Sequence, residues 1–309
     1  MNANESYITD ADKARFRDFA LHHLPSIGRA PVNEIWHYTT AQGLIAILTG
    51  GKVYSTQISC LNDSLEQRYF GDLIHAGVKR LIASNQDSSV SILLQVADAA
   101  LSSRDFAALG HFVICFSEVE DDLGQWRGYG SGGQCGYAIG FDYSKLYAEL
   151  PNTRPDTLLT PMNYDPVRQS FIVDDLLKNA LNYFLAGLPG KDAQRWASEF
   201  LEAFSMELDI FACITKHPAF AAEHERRIIA RLKPNETTHL EFSQKQTLLA
   251  RHLPIDLRGK DGLLPITRIC VGPGPAQRVS QVSVGDLLIK AGYPSEVPVR
   301  LSAVPFRVP

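Results

Sequence analysis

The chain has 309 residues, of which 45% are hydrophobic and 21% charged, and its formal net charge is −4. Those are the proportions of an ordinary globular protein with core enough for one large domain or two smaller ones. The negative balance argues against gripping duplex nucleic acid by bulk electrostatics, and no apolar run reaches the roughly 18 residues that span a membrane. The opening residues, MNANESYITDADKARF, are polar and acidic, unlike a secretory signal. Cys60, Cys115, Cys135, Cys213 and Cys270 form no Cys-x-x-Cys pair, so they read as reduced thiols of a cytoplasmic protein with no metal site.

In chain order, the spacing predicts an amphipathic helix over 10–24, with Phe16, Phe19 and Leu24 on its apolar side. A Pro/Gly-containing link leads to a short strand, EIWHYT, at 34–39. Thr40 is placed to cap the helix AQGLIAILTG, and Gly50-Gly51 to stop it. The segment KVYSTQISCLND alternates as a strand and runs into a turn at Asn62-Asp63, and helical spacing returns over 64–83 and 89–109. HFVICFS (111–117) and GYAIGFD (136–142) read as the two strands of a central hairpin, β-branched and aromatic. Residues 142–170 read as loop with a strand at 158–164, followed by helices over 166–187 and 191–213. A turn or short helix at 218–222, a strand at 225–232, a strand pair or a loop with one short strand within 238–257, a strand at 264–271, a helix at 280–291 and a closing strand complete the chain. This order favours an α+β fold with a mixed, mainly antiparallel central sheet and inserted helices. It divides into an N-terminal helix and linker (1–33), a single α+β domain (34–275) with helical insertions at 64–109 and 166–213, and a C-terminal extension (276–309).

Chemistry concentrates between the strands of the expected hairpin. Gln125, Trp126, Arg127 and Tyr129 stand among Gly128, Gly130, Gly132, Gly133 and Gly136. Glycine loses the most backbone entropy on ordering, so such a loop must be stabilised by something else. One reading is a ligand cradle with a fixed cation and two aromatic faces; the other is a long hairpin whose Trp and Tyr plug the core. His37 and Thr39 share one face of their strand, Trp36 and Tyr38 the other. A satisfied core histidine and a capping threonine are the plain alternative there. Glu225 and Arg227 share a strand face, as an ion pair would. Asp121-Asp122 reads as a solvated turn, and Lys216-His217-Pro218 as a phosphate contact or a helix end. Dinucleotide, Walker, zinc-protease and nucleophile-elbow motifs are absent.

Taken together, W-H-Y-T (36–39), L-N-D-x-x-E (61–66), C-F-S (115–117), Q-W-R-G-Y-G (125–130), G-Y-A-I-G-F (136–141), K-H-P-x-F…E-x-E-x-R (216–227) and I-x-x-I-C-V-G-P (266–273) resemble an uncharacterised bacterial family, a domain of unknown function. Arg226 stands where that pattern expects an aromatic residue. His-Tyr-Thr, a helix, and then the Gly-Lys-Val-Tyr-Ser strand also look like the opening of NAD-dependent ADP-ribosyltransferases, the DNA-targeting toxin and RNA 2′-phosphotransferase types in particular. That resemblance implies NAD as co-substrate, without a metal. His37 would hold a ribose, Glu225 would steady an oxocarbenium-like transition state, and Arg127 would meet the pyrophosphate. Tyr38, Thr39, Tyr54, Ser55, Asn62, Gln125, Trp126, Tyr129 and Arg227 would line the ligand site, with Trp126 and Tyr129 as stacking faces. The expected function is an ADP-ribosyltransferase-like enzyme, a toxin or phage-defence effector acting on nucleic acid or protein. The alternatives are a non-catalytic sensor for a nucleotide or phosphate, and a metal-independent hydrolase or nuclease using His37 or His217 with Glu225.

Overall fold

The computed structural model describes residues 6–24, 32–61, 65–85, 90, 94–95, 97–99, 110–129, 135–154, 157–245 and 248–305. Its elements run α1 (Asp10–His22), β1 (Glu34–Thr39), α2 (Ala41–Gly50), β2 (Lys52–Gln57), α3 (Leu65–Ser84), β3 (His111–Ser117), α4 (Leu123–Tyr129), β4 (Tyr137–Asp142) and α5 (Tyr143–Thr153). They continue with β5 (Leu158–Pro161), α6 (Pro166–Gly187), α7 (Ala193–Ile214), β6 (Glu225–Arg231), β7 (Glu241–Lys245), β8 (Leu248–Asp256), β9 (Ile266–Val271), α8 (Gln277–Lys290) and β10 (Val299–Leu301). The fold is α+β with a mainly antiparallel sheet. The chain divides into two compact units, one of residues 1–28, 61–109 and 162–221, the other of 29–60, 110–161 and 222–309. No described helix is long and apolar enough to cross a membrane.

The first unit is helical. Thr9 and Asp12 cap α1 reciprocally, and Asp165 and Asp192 accept from the first free amides of α6 and α7. The apolar faces meet on an aromatic cluster. Phe16 sets its edge against Phe200 and Tyr183 at 5.2 Å each, and Trp196 stacks on Phe184 while donating from its indole to the Phe184 carbonyl at 3.0 Å.

The second unit holds the whole sheet, in the order β10-β9-β4-β1-β3-β2-β8-β7, with β6 also on β3 and β5 on β6. Only β9/β10 is parallel among the pairs. β3 and β4 are not the two strands of a hairpin: β1 lies between them. β3 is paired along its full length with β6, and its other edge is shared. β2 takes the start, at Thr56↔Val113 and Gln57↔Phe112, and β1 takes the end, at Trp36↔Ser117. β1 and β2 therefore part along β3, leaving its middle unpaired on that edge.

Register assigns the faces. Ile35, Phe112, Ile114, Phe116, Ile139, Phe141, Ile228 and Ile269 belong to the main core with Leu44 and Ile47 of α2, Leu146 and Leu150 of α5 and Leu288 of α8. The opposite face of β1 carries a smaller cluster of Trp36, Tyr38, Trp126, Ala138 and Cys270. Gly140 lies across from Trp36, whose ring edge would be 2.7 Å from any Cβ there, and Gly51 closes α2 at a left-handed φ of 63°.

Three expectations need correction. β2 stops at Gln57, and Ile58–Cys60 form a 3-10 turn that buries Ile58 and Cys60. Residues 143–153, expected within a loop-rich stretch, are a helix. Asp142 caps that helix by accepting from the Lys145 amide at 3.1 Å, and Leu146 and Leu150, one turn apart, are buried. The closing strand is only Val299–Leu301. The expected 89–109 helix falls largely outside the described residues.

Candidate functional site

His37 sits where β1 and β2 part. Cys115 lies on β3 midway between its last pairing with β2, at Val113, and its pairing with β1, at Ser117, and its carbonyl accepts from His37 Nδ1 at 3.0 Å. A carbonyl can only accept, so Nδ1 carries the proton, and in the neutral ring Nε2 is left as an acceptor. The imidazole thus supplies a donor to a carbonyl on the stretch of β3 that neither β1 nor β2 pairs. Burial holds its pKa below the ordinary 6.5, and the Cys115 carbonyl, which favours the charged ring, offsets only part of that. The ring also leans on Phe116, 5.7 Å between centroids. Among the described residues no partner is assigned to Nε2.

Glu225 opens β6. Arg227 Nε donates to its Oε1 at 2.6 Å and Nη2 to its Oε2 at 3.2 Å, and both side chains are buried. The pair shares one strand face, as the i, i+2 spacing predicts. Arg226, on the other face, donates to Glu118 at 2.8 Å and lies over the Tyr143 ring at 5.1 Å. The strand therefore accommodates the arginine that departs from the expected pattern, by giving its charge a partly buried carboxylate and an aromatic face. Just before Glu225, His224 takes a left-handed φ of 46°, and its carbonyl accepts from the Glu118 amide at 3.0 Å.

Register links the two places. Glu225 lies opposite Ser117, and Ser117 opposite Trp36, so these three share a face. His37, next to Trp36, belongs to the other face. The carboxylate and the imidazole therefore stand on opposite faces of the sheet.

The Gln-Trp-Arg segment is the helix α4. Asp122 caps it, accepting from the Gln125 amide at 2.8 Å. Trp126 is fully buried, edge-on to Tyr38 at 4.7 Å, and its indole donates to Asp121 at 2.6 Å. Trp126 is thus a core plug and not a free stacking face. Tyr38 is equally committed: its hydroxyl donates to the Val119 carbonyl at 2.9 Å and accepts from the Asp122 amide at 3.1 Å, and burial raises its pKa. Tyr129 is 37% exposed and Arg127 is exposed, with no partner assigned to the guanidinium among the described residues. Asp121 and Asp122 are structural hinges of this helix rather than a solvated turn. The signal for it was Asp122 followed three residues later by Gln125, a helix-start pattern.

Of the remaining expected site residues, Thr39 is buried at the end of β1. Tyr54 bonds Glu241, which with burial raises its pKa, and Ser55 donates to the Leu253 carbonyl at 2.6 Å. Those two hydroxyls serve the sheet. Asn62 and the glycines of 130–134 lie outside the described residues. In the helical unit, Lys216 is buried over Phe220, and His217 is exposed, accepting from the Ala219 amide at 3.1 Å. Among the described residues no group of three or more His, Cys, Asp or Glu could hold a metal ion.

Residues 125–228 match the family model described as protein of unknown function (DUF2971). The matched stretch takes in Gln125, Trp126, Arg127, Glu225 and Arg227. No curated protein and no solved structure matches the chain.

Proposed function

We propose that the sheet unit binds NAD or a closely related dinucleotide and transfers its ADP-ribosyl group to a nucleic-acid or protein acceptor. The observation that carries this reading is the neutral His37, held by Cys115 at the parting of β1 and β2 with Nε2 left as an acceptor. A ribose hydroxyl is a donor of the matching kind, and a gap in a sheet exposes the backbone groups that also recognise sugars. Arg127, exposed and unpartnered among the described residues, suits a pyrophosphate. In the transfer, the bond from the ribose carbon to nicotinamide breaks with its electron pair leaving on nicotinamide. The acceptor oxygen or nitrogen then bonds that carbon and gives up its proton. Glu225 contributes by stabilising the positive charge that develops on the ribose, a role for which Arg227 fixes its orientation.

One observation favours a second reading, a nucleotide-binding module without transfer. Glu225 is held twice by Arg227 and stands on the sheet face opposite His37, as a structural ion pair would. Calorimetry with NAD, followed by assay of released nicotinamide, tests both. The first reading expects binding that weakens at least tenfold in His37→Ala and Arg127→Ala, and nicotinamide release that is lost in Glu225→Gln with binding retained. Binding without any release from wild-type protein would leave the second reading standing and sink the first.

A further inference from the structure

β7 is the outermost strand on its side of the sheet, paired with β8 alone among the described residues. Its outer row of amides and carbonyls is therefore open, the usual template for adding another strand. Two large apolar side chains stand beside that edge, Phe242 at 57% and Leu249 at 67% exposure. Phe242 shares its face with Gln244, the register partner of Leu249, so the two apolar groups lie on the same side of the β7/β8 pair. An open edge flanked by apolar surface is a liability in a protein that stays monomeric.

The sequence of the strand, EFSQK, says what fits it. Two copies paired antiparallel about Ser243 place Glu241 opposite Lys245 of the second copy, twice over, and Phe242 opposite Gln244. Parallel pairing in register sets Glu241 against Glu241 and Lys245 against Lys245. Only the antiparallel arrangement brings unlike charges together, and it closes on itself with two-fold symmetry instead of propagating. We propose that β7 is a self-complementary dimerisation edge, joining two copies of this chain through one continuous sheet. Ser243 lies on the axis, Phe242 and Leu249 cover the adjoining face, and the unlike charges at register positions 241 and 245 favour this pairing. This inference stands independently of NAD binding. A five-residue edge buries little area against the roughly 1,200–2,000 Å² typical of stable interfaces, so the dimer is weak and reversible.

Sedimentation equilibrium of the full chain across about 1–100 μM tests it. Wild-type protein is expected to shift from the mass of one chain towards that of two. Lys245→Glu sets Glu against Glu at both ends of the strand and is expected to weaken association at least tenfold, as is Phe242→Ser. The double variant Glu241→Lys/Lys245→Glu restores unlike pairs in the same antiparallel register and is expected to recover the dimer. Circular dichroism on each variant confirms that the fold is kept. Wild-type protein that is monomeric throughout this range overturns the proposal. So does a dimer that survives Lys245→Glu unchanged, or a double variant no better than the single one.

Discussion

A single hydrogen bond determines what His37 can do. With Nδ1 donating to the Cys115 carbonyl, the neutral ring offers an acceptor at Nε2, and protonation would convert that acceptor into a donor. Because burial depresses the folded-state pKa, the unfolded chain takes up the proton first as pH falls. The contribution of His37 to stability is therefore complete above about pH 6.5 and is lost as pH falls from there through the depressed folded value. Denaturation curves between pH 7.5 and 5 are expected to show wild type losing more stability than His37→Asn over that interval. Equal losses would mean that the ring is not held neutral. Glu225 makes a second residue-scale prediction. Replacing it with Ala leaves Arg227 buried without its bidentate partner, and urea unfolding is expected to show a loss of about 3–5 kcal/mol. Glu225→Gln keeps an acceptor and is expected to cost less. The i, i+2 face shared by Glu225 and Arg227 was legible in the sequence, since alternation follows from strand geometry. The tautomer of His37 was not, because the deciding group is a backbone carbonyl 78 positions away.

Helix α4 shows how elements settle what residue types leave open. Its indole and its capping residues anchor it to β1, and Asp121 ties it to the C-terminal segment as well, accepting from Ser302 Oγ at 2.5 Å and the Ala303 amide at 2.8 Å. Asp121→Ala strips three donors of their acceptor at once, two of them part-buried and one exposed, and thermal unfolding is expected to report a loss of about 1–3 kcal/mol. No change in stability would show that the C-terminal segment is not held there. Between β1 and β4, Gly140→Ala would drive a methyl into the Trp36 ring, which is rigid and walled in by Tyr38 and Trp126. A cost of about 1–3 kcal/mol is expected from overpacking. Elements that carry their own signals were readable: the capped α2 with Gly51 behind it, and the long α6 and α7 with their clean periodicity. Helix α5 was not, because Pro151 and Asn152 look like loop while the buried pair Leu146 and Leu150 carries the helix. The adjacency of strands was not readable either. β1 enters between β3 and β4 through pairings that leave no period in the sequence, and this turned an expected hairpin into two separated strands.

Across the whole molecule, a ten-stranded sheet carries the candidate site at an internal parting of its strands and an open edge at β7. The parting places a neutral acceptor at a gap, and an exposed arginine stands on the helix beside β1. The proposed function asks His37 to meet a ribose, Arg127 a pyrophosphate and Glu225 the developing positive charge, and each demand is separately testable. The most direct measurement is calorimetric titration of the wild-type chain with NAD at pH 7.5, with His37→Ala alongside. The account predicts saturable heat for the wild type and at least a tenfold weaker response for the variant. Saturable heat identical in both proteins, or none from the wild type at millimolar NAD, would contradict it.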